Sequence, residues 1–222
     1  MRTTWDYAGR RDEFLAWAAA VPRLLNPADV LTWNTDKRYL HELEAQGIPI
    51  VPTTWLSPGD AFTPPGHAYV VKPTVSAGAR NAAAYAAGAP SHAGELLAAG
   101  RHVMVQPYID GIDDQGETSL LFFDGRFSHA ARKSAILTPG AGVRNDIDSR
   151  AFVTPAEATA QELALAEQVL AAVQHDLLYA RVDLLPGPVL IELEVTEPSL
   201  FLRHGPGSAQ RFARAVSARL RS

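Results

Sequence analysis

Cysteine is absent from this chain of 222 residues. That excludes a disulfide framework, a thiolate nucleophile and any thiolate metal site. The seven histidines (41, 67, 92, 102, 129, 175 and 204) never fall at HxH or i,i+4 spacing, which argues against zinc. No apolar run nears the roughly 20 residues that cross a bilayer. The opening stretch MRTTWDYAGRRDEF has no apolar signal segment. A cytoplasmic protein without a membrane partner is expected. Basic residues (20) are outnumbered by acidic ones (24), so no broad positive field invites nucleic acid. The GxxxxGK[ST] phosphate loop is also missing.

What is present is an ordinary globular composition, 47% hydrophobic, sufficient for one large or two small domains with a real core. Residues 12–20 have helical spacing, and NPADVLTWN (26–34) reads as a turn with a short apolar piece. Thr35 or Asp36 can cap a helix through Tyr39, Leu40 and Leu43 that Gly47 stops. Strands are predicted at 67–73 and 102–109, with a short helix at 91–100 between them. Residues 118–133 form a hairpin around Asp124-Gly125. The stretch 134–152 has no period and reads as a long loop, a kind that is usually functional or disordered. A helix over 154–174 is predicted, with Thr154 as N-cap, Pro155 at the first position and Glu157 completing a capping box. Strands 179–185 and 188–195 follow, and a basic amphipathic helix at 208–221 ends the chain. Hairpins mixed with helices, without strict βα alternation, indicate an α+β fold.

One strand stands out. VLIELEV (189–195) is apolar yet carries Glu192 and Glu194 on one face. If Pro186-Gly187 is a two-residue turn, Asp183 opposes Leu190 and Arg181 opposes Glu192. Arg181, Asp183, Glu192 and Glu194 then share a face; a three-residue loop would break that parity. Three carboxylates on one patch repel unless positive charge lies between them. Arg181 supplies one charge, and Mg²⁺ or Mn²⁺ suits the oxygen donors. The plain alternative is a solvent-facing side with a cross-strand Arg–Glu pair. Lys72 ends an apolar strand before the small-residue loop TVSAGARN (74–81), in outline a phosphate-binding arrangement. Lys37 follows the same logic. The segment Gln106–Tyr108 could offer backbone to a purine edge, with Glu117 near enough for ribose.

The ordered set NTDK, VVKP, VQPYIDG, GETSL, FFDGRFSHAARK, YARVD and IELEVTEPS resembles the ATP-grasp superfamily, and most its glutathione synthetase-like branch. Within that branch it is similar to relatives of the D-cycloserine-forming cyclo-ligase. The resemblance covers about residues 30–200. It implies two α+β subdomains clasping ATP, with residues 35–104 as the smaller, 105–222 as the one with the metal site, and 1–34 as the remnant of an N-terminal domain plus a connecting helix. It implies that Lys37 and Lys72 hold ATP phosphates under a loop containing Ser76 and Gly78. It implies that Gln106 and Tyr108 meet adenine and that Glu117 meets ribose. Arg132 and Lys133 would face phosphate or substrate, and Asp183, Glu192 and Glu194 would bind Mg²⁺ or Mn²⁺. Arg181 would stabilise an acyl phosphate or tetrahedral species, and Ser199 lies where the substrate loop begins. The activity implied is ligation of a small carboxylate to an amine-type nucleophile, including intramolecular cyclisation. A homo-oligomer is left open. The sequence departs from the family's E-x-N pattern by reading Glu192-Leu193-Glu194. The early start suggests that substrate-binding groups of the N-terminal domain are missing, so a non-catalytic ATP-binding module is the alternative. A structural domain without nucleotide explains each motif singly but not their order.

Overall fold

The computed structural model of the chain describes residues 5–143 and 153–221. Part of the predicted 134–152 loop and the first four residues lie outside the described residues. Helix α1 (Arg11–Ala20), helix α2 (Ala28–Asn34) and helix α3 (Tyr39–Ala45) come first. They are followed by β1 (Thr54–Leu56), β2 (Tyr69–Pro73), β3 (Ala83–Tyr85), α4 (Ala93–Ala98) and β4 (Val103–Pro107). The rest comprises α5 (Ile112–Gln115), β5 (Glu117–Phe123), β6 (Arg126–Lys133), β7 (Val153–Ala156), α6 (Ala160–Val173), β8 (Tyr179–Leu185), β9 (Val189–Glu194) and α7 (Ser208–Arg221). The strands make two antiparallel sheets, ordered β1-β4-β2-β3 and β7-β6-β5-β8-β9, so the α+β class holds. No helix among the described residues is long and apolar enough to cross a membrane.

Alternation along the larger sheet sorts its two faces. Leu120, Phe122, Ala180, Val182, Leu184 and Leu193 pack on α6 and α3 through Leu165, Ala166, Val169, Tyr39, Leu40 and Leu43. Their burial supplies the main apolar drive, at about 25 cal/mol per Å². The opposite face carries the charged side chains. A smaller core of Tyr69, Val71, Leu96, Leu97, Val103 and Val105 holds α4 on the first sheet.

Besides the start of α3, where Arg38 and not Thr35 or Asp36 stands at the N-cap, three expectations need correcting. Residues 28–34 form helix α2, in which Asn34 is buried four residues after Val30 and three after Leu31, as one helical face requires. The long helix begins at Ala160, with Thr159 as N-cap and Glu162 closing the capping box. Thr154 cannot cap it, because residues 153–156 are drawn into edge strand β7 against β6. Pro155 is tolerated there, since an edge strand need not donate on both sides. The third correction concerns the turn between β8 and β9 and belongs with the site.

Strand β9 is an edge, and edges need cover. Side chains supply it here. The Tyr39 hydroxyl accepts from Leu193 N at 2.8 Å and lies 2.9 Å from Leu193 O. Asn34 donates to Leu193 O at 2.7 Å and accepts from Val195 N at 3.1 Å. Asn26 donates to Val195 O at 2.7 Å. The segment at Pro49–Val51 bonds both polar groups of Leu190. The edge of β9 is thus sealed by the segments preceding the first sheet. Tyr39→Phe leaves the buried Leu193 N–H without its acceptor and should destabilise the fold by roughly 1–3 kcal/mol, read as a lower urea midpoint at unchanged slope. An unchanged midpoint would contradict this role.

Candidate active site

The turn between β8 and β9 is a three-residue loop, since Leu185 pairs with Val189 across Pro186-Gly187-Pro188. Alone it would send the glutamates to the apolar face. One step later Leu184 pairs with Leu190 and Asp183 with Glu192, leaving Ile191 as an extra residue. This bulge restores the parity that the loop broke. The facing pairs are therefore Asp183–Glu192 and Arg181–Glu194, not the predicted Asp183–Leu190 and Arg181–Glu192. Sharing of the face survives, and the carboxylates are closer than the two-residue turn implied.

Asp183 is fully buried, and four donor atoms from three residues surround it. Arg181 reaches it from Nε at 2.9 and 3.1 Å and from Nη2 at 2.8 Å. Lys133 Nζ lies at 2.8 Å and the Ser119 hydroxyl donates at 2.7 Å. Burial opposes its charge, but Arg181 and Lys133 prevail and hold the carboxyl well below the usual range. Arg181 also pairs with Glu194, and Lys133 with Glu117. Glu192 pairs with Lys37 at 3.0 Å, and against the cost of burial Lys37 and Lys72 keep it ionised. The other acids respond oppositely. Burial pushes Glu117 and Glu194 up to about 7, despite Lys133 and Arg181. Burial and the neighbouring Glu194 push Glu197 up to about 8.

The first sheet faces this array across a cleft. Lys37 links the two sides: its Nζ donates to Ser76 O at 2.9 Å and its backbone N–H to Thr74 O at 2.9 Å. Lys72 lines the same cleft and is only 9% exposed, yet its Nζ has no hydrogen-bond partner among the described residues. Burial and repulsion from Lys37 lower it to about 8, despite the attraction of Glu192. The loop over it bends through positive φ at Gly78, Ala79 and Asn81. Strain of that kind at the two non-glycine positions gathers at ligand clamps. Gln106 Nε2 is held by Thr53 Oγ1 at 2.8 Å, and the Tyr108 hydroxyl sits 2.7 Å from Asp113 Oδ1.

Of the residues singled out in the sequence, all line the cleft except two. Asp183 lies beneath its floor. Arg132 is on the other face of β6, because its neighbour Lys133 takes the cleft side; its Nη1 donates to Gln115 O at 2.9 Å. Glu117 is engaged in the ion-pair array at Lys133. Ser199 lines the cleft and its carbonyl accepts from Arg181 at 3.3 Å. Two cleft residues escaped sequence reasoning. Tyr7, from the turn at Trp5–Gly9, is nearly buried and bonded to Glu197. Both lie outside any strand, where no period exposes their direction.

One oxygen each from Asp183, Glu192 and Glu194 lie within 4.8 Å of one another. Trans oxygens on Mg²⁺ are ~4.2 Å apart, so small shifts close the set on one ion. An all-oxygen, carboxylate-rich set fits a hard divalent cation.

Comparison with known proteins places the chain in a family. Residues 1–26 match the family described as D-cycloserine synthetase DcsG, N-terminal domain. The cycloserine biosynthesis protein DcsG of Streptomyces lavendulae is 38% identical over 247 residues, covering 99% of this chain and 82% of that protein. The crystal structure of D-cycloserine synthetase DcsG superposes with a TM-score of 0.86 at 34% identity, over 97% of this chain and 81% of that one. The chain belongs to the DcsG family of ATP-grasp ligases. More distant structures share the fold. The D-alanine–D-alanine ligase of Bacillus anthracis complexed with ATP gives a TM-score of 0.58 at 18% identity, over 84% and 64% of the two chains. The ATP-grasp ligase PsnB, complexed with a precursor variant, Mg and ADP, gives 0.58 at 15%, over 94% and 67%.

The raised acids set a sign for stability against pH. Glu117, Glu194 and Glu197 hold protons in the folded chain at pH values where the unfolded chain has lost them. Folding is therefore favoured below the ordinary carboxylate range and loses that stabilisation as pH rises towards about 8. Without metal or nucleotide, the melting temperature should fall between pH 5.5 and pH 8.5. Glu197→Gln should flatten the slope. An equally steep fall in that variant would contradict the assignment.

Proposed function

We propose that this member of the DcsG family uses Mg²⁺ and ATP to activate a small carboxylate as an acyl phosphate, which an amine-type nitrogen then attacks. Closure of a ring within one molecule is one form of the reaction. The observation that carries the reading is Lys72: its stem is buried, and its ammonium opens into the cleft opposite the ionised Glu192, with no hydrogen-bond partner among the described residues. A lysine fixed in this way at the rim of a cleft is placed to take an anionic group of a ligand.

The residues divide the work as follows. Lys37 and Lys72 hold the phosphates, with the loop at Ser76 and Gly78 above them. The Gln106–Tyr108 segment takes the base. Asp183, Glu192 and Glu194 hold Mg²⁺, which supplies charge neutralisation at the phosphoryl oxygens. An oxygen of the substrate carboxylate attacks the γ-phosphorus, and the bond to the β-phosphate oxygen breaks with release of ADP. The nitrogen then attacks the acyl carbon, the carbon–oxygen bond to phosphate breaks, and the nitrogen gives up a proton. Arg181 and Lys133 face the negative charge that develops, already oriented by Asp183 and Glu117, so little reorganisation is needed. This assignment moves Glu117 from ribose to the support of Lys133, where its carboxylate is engaged. Two carboxylates paired to cations on a buried floor favour catalysis over passive nucleotide storage.

ADP release in the presence of Mg²⁺, scanned over amino acids with and without hydroxylamine as trapping nucleophile, tests the reading. Lys72→Ala should raise the KM for ATP by about tenfold or more, the worth of a charged hydrogen bond. Asp183→Asn should lower kcat by at least about 100-fold. Unchanged ATP turnover in both variants would refute the proposal.

A further inference from the structure

The segment after β9 is held in an uncommon shape. Phe201 has φ +43, a left-handed conformation that is a genuine outlier for a bulky residue. Conformations like this persist where the surroundings over-determine them. From below, His129 on β6 approaches the carbonyls of Leu200 at 3.1 Å and Phe201 at 3.2 Å through Nε2. Carbonyls only accept, so Nε2 carries the proton. Its Nδ1 lies 2.9 Å from Ser128 Oγ. That hydroxyl accepts from Arg211 Nε of α7 at 2.9 Å, which leaves its own proton for Nδ1. Gly205 closes the loop so near the imidazole that any Cβ there would collide with the ring.

From above, the loop meets Arg181. The Phe201 ring lies 5.2 Å from the guanidinium carbon, within cation–π range, and Ser199 O accepts from Nη1 at 3.3 Å. Arg181 is buried and already tied to Asp183 and Glu194 along one edge of its plane. The ring adds a contact to the guanidinium beyond those hydrogen bonds.

We propose that Phe201 is a positioning residue for Arg181: its strained backbone, clamped by His129, presses the ring on the guanidinium and fixes the plane from which Arg181 meets the reacting group. The functional half of this inference rests on the role given to Arg181 above; the contact itself does not.

Two measurements on the full chain separate them. The first is the Arg181 Nε–H resonance in ¹⁵N-arginine-labelled protein, assigned by its loss in Arg181→Lys. Phe201→Leu should shift it downfield by removing the ring current, and Phe201→Tyr should leave it in place. An unmoved resonance in Phe201→Leu overturns the contact. The second is steady-state kinetics of ADP release. Phe201→Leu should lower kcat about 2- to 30-fold, the range of a cation–π contact, at unchanged KM for ATP, and Phe201→Tyr should recover it. Wild-type kcat in Phe201→Leu, or a change confined to KM, overturns the positioning role. If the wild-type chain releases no ADP, the proposed function falls, and the resonance still judges the contact.

Discussion

Three carboxylates within 4.8 Å of one another, on the floor of a cleft, cannot coexist as bare charges. That repulsion is the constraint the surrounding structure answers. Arg181 answers it from within the same hairpin and Lys133 from the next strand but one, while Lys37 arrives from the segment before the first sheet. Removing one such partner leaves an unpaired buried charge, which costs several kcal/mol. The cations are therefore as necessary to the fold as to any chemistry. Each is also shared: Lys133 between Asp183 and Glu117, Arg181 between Asp183 and Glu194.

The strand bearing two of these acids is an edge strand, and its cover explains why distant segments matter. Asn26, Asn34 and Tyr39 bond the backbone of β9 much as another strand would. Lys37 lies between Asn34 and Tyr39, so sealing the edge also delivers an ammonium to Glu192. Its bond to Ser76 then ties the loop of the opposite sheet to the same strand. Structure and chemistry use one set of contacts, and perturbing the edge should perturb the site.

Much of this was legible in the sequence, for reasons that differ by residue. Period-two alternation placed Glu192 and Glu194 on one face and the hairpin placed Asp183 and Arg181 beside them, since pleating is nearly independent of context. The register was not legible. Pro186-Gly187-Pro188 admits a two- or a three-residue loop, and the compensating bulge at Ile191 has no local signature. The start of α6 was not legible either: Thr154 and Thr159 both make acceptable caps, and tertiary pairing of β7 chooses between them. Arg132 and Lys133 cannot both face the cleft, since adjacent strand residues face opposite ways. Tyr7, Glu197 and Phe201 were invisible because turns carry no period, and long-range packing sets where their side chains go.

A divalent-cation site completed by nucleotide is the proposed role of the acidic floor. Crystals grown with Mn²⁺ and a non-hydrolysable ATP analogue, examined by anomalous scattering, test it most directly. Manganese peaks between Asp183 or Glu192 and the analogue's phosphates are expected, with Lys72 Nζ on a phosphate oxygen. Manganese bound elsewhere, or an analogue seated while these carboxylates touch no metal, would contradict it.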